Sequence, residues 1–333
     1  MKKPLLPQDD SDRKEREAGL SEARKAYRYD FEALPPVALA AEVPKAEEPP
    51  PPWNLISATK MVALKVNTAR AEKAEKESHE DFHGPLFELI KAGEHGGMKG
   101  ILGEVYKLRH EASIKGRPAA IDDYAELFQQ IALPAVAETY RSDASFASQR
   151  LQGPNAMWLR RVEAAPSHFP VSEAHFKAAR GEGDSLEAAA KEGRLFLSDY
   201  AALEGVECGT WPVAQKYMSA AMALFVAPPA GSASRALAPV AIQCGQTPSA
   251  ESPILTPRDG VAWLMAKTRV QTADGNVHQA VSHLGQTHMP LEAFVLATHR
   301  QLSASHPLFV LLHPHFQGTL AINESANGSL LAP

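Results

Sequence analysis

The stretch that decides the reading is His278-Gln279-Ala280-Val281-Ser282-His283-Leu284-Gly285-Gln286-Thr287-His288. It opens a histidine series, His278, His283, His288, His306 and His315, spaced His-x4-His-x4-His-x17-His-x8-His. Histidine is costly to bury unless its ring nitrogens find hydrogen-bond partners or a metal. One such residue alone reads as a satisfied core side chain; five embedded in apolar helices ask for more. His283 and His288 lie five residues apart, so on a regular α-helix of about 3.6 residues per turn their side chains diverge by roughly 140°, too far to share a metal. A π-turn widens the helix and brings residues i and i+5 together, and such bulges gather at functional sites. The spacing predicts a π-turn within His283-Leu284-Gly285-Gln286-Thr287-His288.

Around this stretch, the chain from Val261 onward reads as apolar helices punctuated by Pro290, Pro307 and Pro314. Upstream, residues 222–226 and 237–243 are short and partly β-branched, with Pro228, Pro229, Gly231 and Ser232 between them. That pattern is a β-hairpin with a long turn, and Pro239 favours an edge position. Residues 185–200 read as an amphipathic helix leading into Leu195-Phe196-Leu197-Ser198-Asp199-Tyr200. Residues 122–140 read as helical, with a break at Pro134. The run from Gly93 to Gly100 lacks the Gly-Lys-Ser/Thr ending of a phosphate loop and reads as a flexible turn. Residues 56–80 are helical in pattern, stopped by Gly84-Pro85. Residues 27–53, with Leu34-Pro35-Pro36, Val43-Pro44 and four prolines from Pro49 to Pro52, should be extended rather than helical or in a sheet. Residues 1–27 are highly charged and read as a surface helix or a disordered arm.

Composition sets the frame. A chain of 333 residues with 44% hydrophobic and 22% charged residues is that of a globular protein able to bury a sizeable core. Its net charge of -5 argues against a nucleic-acid binder. Two cysteines, Cys208 and Cys244, make no disulfide framework, which points to a reducing compartment. No apolar run approaches a membrane span, and the segment after Met1-Lys2-Lys3 is no signal-peptide core, so a cytoplasmic location is expected. Of the 13 histidines, more than half lie between His278 and His315. A second histidine pattern, His79-Glu80-Asp81-Phe82-His83, fits the His-Glu-x-x-His zinc-protease motif. Gly84-Pro85 ends that helix one residue later, the flanks are charged, and no third histidine follows at the protease spacing, so chance explains it better.

The segments Trp263-Leu264-Met265-Ala266-Lys267, His278 to His288, Glu292-Ala293-Phe294, Ala297-Thr298-His299-Arg300-Gln301-Leu302, His306-Pro307-Leu308-Phe309, Leu311-Leu312-His313-Pro314-His315-Phe316 and Thr319-Leu320-Ala321-Ile322-Asn323 closely resemble lipoxygenases. Weaker matches are Phe146 through Gly153-Pro154-Asn155, where Pro and Asn are swapped relative to the family, and Leu195 to Tyr200 and Leu237 to Gln243. Tyr27-Arg28-Tyr29-Asp30 with Leu34-Pro35-Pro36 is similar to the start of bacterial members, which makes the proline-rich segment an ordered arm rather than a free linker. The resemblance leads to the expectation of a bacterial-type member without the N-terminal β-sandwich of animal and plant members.

The resemblance implies a mainly α fold, a lipoxygenase-type helical catalytic domain with a small β-element near residues 222–243. Residues 1–53 would form the arm, and 54–333 the N-terminal half of the catalytic domain. It implies His283 and His288 as two ligands of a non-haem iron, and Gln279 as a polar position near the substrate cavity. His306 and His315 match family histidines that are structural. The implied reaction is dioxygenation of a polyunsaturated fatty acid by O2 to a conjugated-diene hydroperoxide. Imidazole ligation without thiolate would keep the ferric state strongly oxidising, and an apolar channel would hold the acyl chain. In the family a third histidine, an Asn, His or Ser, and a terminal isoleucine carboxylate follow the Ile322-Asn323 helix. This sequence ends Ser329-Leu330-Leu331-Ala332-Pro333. The expectation is a chain that is inactive alone and exposes apolar helix faces, to be completed by a complementary C-terminal chain. The alternative is a non-catalytic fragment that binds fatty acid or a partner through such a face.

Overall fold

The computed structural model describes residues 4–74, 120–128, 131–209 and 216–328. His79, His83 and the Gly93–Gly100 run lie outside them. The described residues fall into two compact units, one of residues 1–131 with 283–333 and one of residues 132–282. Among the described residues, no helix is long and apolar enough to cross a membrane.

The second unit is organised by a five-stranded antiparallel sheet of β3 (Leu159–Arg161), β4 (Leu195–Asp199), β5 (Met222–Val226), β6 (Ala238–Gln243) and β7 (Ile254–Leu255), hydrogen-bonded in that order. Side chains alternate across it, as period-2 geometry requires. Leu195, Leu197, Met222, Leu224 and Val226 pack on Phe169 and Phe176 on one face. Ala223, Phe225 and Ile242 pack on Phe146, Trp263, Val270 and Val277 on the other. The β5–β6 hairpin is the one expected from the sequence. Pro239 does not lie on an edge strand, because β6 pairs with both β5 and β7. It sits instead where β7 does not reach, since β7 pairs only Ile242 and Gln243. The ladder with β5 also slips there, skipping Val240, and a bulge is the other place a strand tolerates proline. The slip puts Val240 and its neighbour Ala241 in the same core cluster.

Helices α3 (Asp143–Gln152), α4 (Glu173–Arg180), α5 (Leu186–Lys191) and α6 (Gly260–Val277) complete this unit. Serine N-caps open three of them: Ser142, Ser172 and Ser185 accept from the backbone N–H of Ser145, His175 and Ala188. Residues 185–200 are not the single helix expected. α5 stops after six residues at Gly193, whose φ of 65° is open to glycine without strain, and Leu195 then starts β4. Residues 122–140 are likewise not an α-helix but two 3-10 turns, Asp122–Leu127 and Ala135–Glu138, the first of which belongs to the first unit. Pro134, extended at ψ 147°, forces the residue before it out of the helical region.

The first unit begins with α1 (Arg13–Ala26), capped by Asp12, so the charged N-terminal segment is a helix. The hairpin β1 (Tyr29–Leu34) and β2 (Val37–Ala40) follows, where the sequence reading excluded a sheet. Proline disfavours ladder positions, and Pro35-Pro36 occupies the turn instead. The arm is ordered, as the family resemblance implied. Helix α2 (Pro51–Ala74) starts five residues earlier than expected. Prolines are tolerated in a first turn, where their missing N–H would be unpaired anyway. A π-helix spans His278–His288, of which His283 to His288 belong to this unit, and α7 (Met289–Gln301) follows it. Two short helices, α8 (Pro307–Leu312) and α9 (Thr319–Ala326), follow. Val295 and Leu296 of α7 pack with Tyr27, Phe316 and Leu320 in this unit's core.

Candidate metal centre

The predicted π-turn is present and longer than the five-residue spacing required, covering all of His278–His288. Pro290 lacks the N–H that would close an α-turn onto Gln286, and Gly285 lies in the middle of the segment, so a wider turn is accommodated here. On it the imidazoles of His283 and His288 meet edge to face, with ring centroids 4.6 Å apart. Their Nε2 atoms are 3.1 Å apart. Two imidazole nitrogens bound at about 2.1 Å to one ion at a right angle stand about 3.0 Å apart, so the pair fits a shared metal.

The partners of His288 fix which of its nitrogens is free. Asn323 on α9 donates from Nδ2 to the His288 carbonyl at 2.9 Å and to Glu292 Oε2 at 2.7 Å. Both partners are acceptors, so the amide has one orientation, and Asn323 Oδ1 faces His288 Nδ1 at 3.0 Å. An amide oxygen only accepts, so Nδ1 carries the proton and Nε2 presents its lone pair toward His283. Hydrogen bonding of the distal ring nitrogen is how proteins orient a metal-binding histidine. Glu292 is anchored in turn, its Oε1 accepting the Ala40 N–H of β2 at 2.5 Å. Burial pushes the Glu292 carboxyl above the usual range, while the bonds from Ala40 and Asn323 pull it back.

Other predicted positions separate by role. Gln279 stands on the π-helix four residues before His283, its side chain exposed. His278 is half-buried where α6 ends. His306 is the N-cap of α8, accepting the Leu308 N–H through Nδ1 at 3.1 Å, a structural role. His315 is exposed in a 3-10 turn, His313–His315. A cavity of about 370 Å³ lined by Ala165, Pro166, Val171, Leu186 and Leu195 includes none of Gln279, His283 or His288. Phe294, Leu308, Leu311 and Ile322 are exposed.

Glu292 and Asn323 were not among the predicted site residues. Glu292 follows His288 by four positions, the same helix face, and Glu292 and Asn323 are polar side chains at 4% and 1% exposure. A buried acid one turn after a candidate ligand is the signal that would have found it.

A family model described as Lipoxygenase matches residues 122–333. The chain belongs to the lipoxygenase family. This lipoxygenase-family chain is 34% identical to the linoleate 9/13-lipoxygenase of Pseudomonas aeruginosa, over 98% of its own length and 55% of that relative's. It is 42% identical to the polyunsaturated fatty acid lipoxygenase ALOX15B of Rattus norvegicus, over 58% of its length and 28% of that relative's. Among solved structures, a calcium-dependent 11R-lipoxygenase superimposes with a TM-score of 0.71 at 25% identity, covering 99% of this chain and 45% of that one. A lipoxygenase solved anaerobically with arachidonate gives 0.69 at 27% identity, again over 99% and 45%. The chain thus spans about half the length, or less, of these relatives. The mainly helical lipoxygenase fold with small sheets is the one expected.

Within the lipoxygenase family the donor set has clear chemistry. Two neutral imidazoles with no thiolate suit a first-row metal of intermediate softness. Asn323, bonded to the buried Glu292, holds the His288 proton at Nδ1.

Proposed function

We propose that this chain supplies two iron ligands, His283 and His288, to a fatty-acid dioxygenase of which it spans about half the length. The observation that carries the reading is the convergence of the two Nε2 atoms on a π-helix, with the His288 proton held at Nδ1 by Asn323. The names of its relatives support a polyunsaturated fatty acid as substrate, linoleate for the bacterial relative and arachidonate for the solved complex. Iron held by His283 and His288 would supply one-electron oxidising chemistry, suited to converting a polyunsaturated fatty acid and O2 to a conjugated-diene hydroperoxide. The chain's own residues have simpler tasks. Asn323 and Glu292 keep the His288 proton off Nε2, the π-turn aligns the two rings, and Gln279 contributes a polar contact toward the substrate.

The test is iron per chain in the purified protein, with His283→Ala/His288→Ala as control. Iron that is present in the parent and lost in the variant supports the pair as ligands. Iron unaffected by the variant removes it. The parent chain joined to a family C-terminal half should then convert linoleate to a conjugated diene; an iron-loaded assembly that leaves linoleate unchanged refutes the catalytic reading.

A further inference from the structure

A second group of metal-ligating side chains lies in the first unit and takes no part in the centre above. Glu47 ends the 3-10 turn Lys45–Glu47 of the N-terminal arm, 6% exposed. Among the described residues no lysine or arginine pairs with it. Its Oε1 accepts the Tyr27 hydroxyl at 2.7 Å and lies 3.3 Å from His299 Nε2. His299, on α7, is 7% exposed and stacked on Tyr27 with centroids 4.0 Å apart. Its Nε2 is buried and makes no hydrogen bond. His313, exposed after α8, stacks on Phe309 and places its ring 5.5 Å from that of His299. The ligand atoms of Glu47, His299 and His313 all lie within 4.8 Å of one another.

Apart, these features are awkward. A buried carboxylate lacks a formal cation, and the imidazole beside it leaves a nitrogen unused, both of which cost free energy. A divalent cation between them answers both, because it neutralises the carboxylate and takes the imidazole lone pair. We propose that Glu47, His299 and His313 form a second metal site, of the two-imidazole, one-carboxylate type that binds zinc, which fastens the N-terminal arm to α7 and the turn after α8.

Four ligands about 2.0–2.1 Å from a tetrahedral ion stand about 3.4 Å apart, so the widest separation in the set must contract by up to about 1.4 Å. His313 is exposed and can supply that movement by rotating its side chain. The Tyr27 hydroxyl orients the carboxylate, as outer partners do in metal sites. Solvent on the His313 side can fill the fourth position.

The test uses the full chain carrying His283→Ala/His288→Ala, so that the first pair cannot compete. Zinc affinity is measured against a chromophoric chelator, with melting temperature followed as zinc is added. One zinc per chain is expected, with a rise in melting temperature that grows with zinc concentration. Adding His313→Ala, or Glu47→Gln, should weaken zinc by about 100-fold and abolish the rise. His313 is exposed, so its removal should leave the metal-free circular dichroism unchanged and separate loss of the site from loss of the fold. Absence of zinc uptake at micromolar free metal overturns the proposal. So does zinc binding that survives either substitution within about threefold, since that metal would sit on other histidines.

Discussion

The substitution Glu292→Gln keeps the side-chain shape and exchanges one acceptor for a donor. Glu292 accepts at both oxygens, from Ala40 N–H at 2.5 Å and Asn323 Nδ2 at 2.7 Å. A glutamine amide offers one acceptor and one donor, so it serves one of these partners and confronts the other with N–H. If the introduced amide keeps its bond from Ala40, Asn323 can meet the new N–H only by rotating its own amide, which gives up its bond to the His288 carbonyl and points Nδ2 at His288 Nδ1. His288 must now accept at Nδ1, and its proton moves to Nε2, the atom that faces His283 at 3.1 Å. If Asn323 does not rotate, buried donors remain unsatisfied at about 1–3 kcal/mol. Either way metal binding weakens, by about 10–100-fold for the loss of an outer partner, or about 1.4–2.7 kcal/mol. The neutral amide also removes a carboxylate whose ionisation burial disfavours, so thermal stability should fall less than metal affinity does. Iron(II) affinity measured against a chelator reads the first effect. Nitrogen NMR of the metal-free chain reads the tautomer directly. Affinity within twofold of the parent, together with His288 still protonated at Nδ1, would refute the argument that Glu292 acts through Asn323.

In the second unit, Asp274 receives the Tyr200 hydroxyl at 2.7 Å and lies 3.4 Å from Arg150, which is itself 3% exposed. Asp274→Ala strands a buried guanidinium and should cost about 3–5 kcal/mol in urea denaturation, whereas Tyr200→Phe should cost about 1–2 kcal/mol. The Arg194 guanidinium beside Asp184 holds that carboxyl below its usual range. The folded state therefore binds fewer protons than the unfolded one between the two values, so this contribution is full above pH ~4 and is lost as pH falls through the folded value. Asp184→Asn should accordingly flatten the acid limb of stability; an unchanged slope between pH 5 and about 2.5 would contradict the pairing. Phe225 is fully buried between the sheet and Phe146, and Phe225→Ala should lower the unfolding free energy by about 3–5 kcal/mol. Gly318 precedes α9 at φ 81°, and an added methyl group would meet Ile322 Cδ1 at 3.7 Å, an ordinary van der Waals contact. Gly318→Ala should thus cost only backbone strain, about 1–2 kcal/mol by thermal melting.

What the sequence determined by itself is what short-range pattern encodes. The five-residue gap between His283 and His288 demanded a π-turn, because helical geometry relates spacing to direction without reference to the rest of the chain. The β5–β6 hairpin was legible for the same reason, from β-branched runs around a Pro-Gly turn. Local pattern failed where two readings compete over a few residues. Residues 185–200 hold both helix formers and an alternating Leu195-Phe196-Leu197, and Gly193 divides them. In the arm, a high proline content hid a hairpin whose prolines sit at the turn. Only the tertiary structure decided the partners of the histidines. Asn323 reaches His288 across 35 residues, Glu292 reaches Ala40 across 252, and Glu47 meets His299 from the opposite end of the sequence. Such contacts follow no period. They exist because burying Val295, Leu296, Phe316 and Leu320 against Tyr27 brings these segments together, and the polar groups carried inward must then satisfy one another.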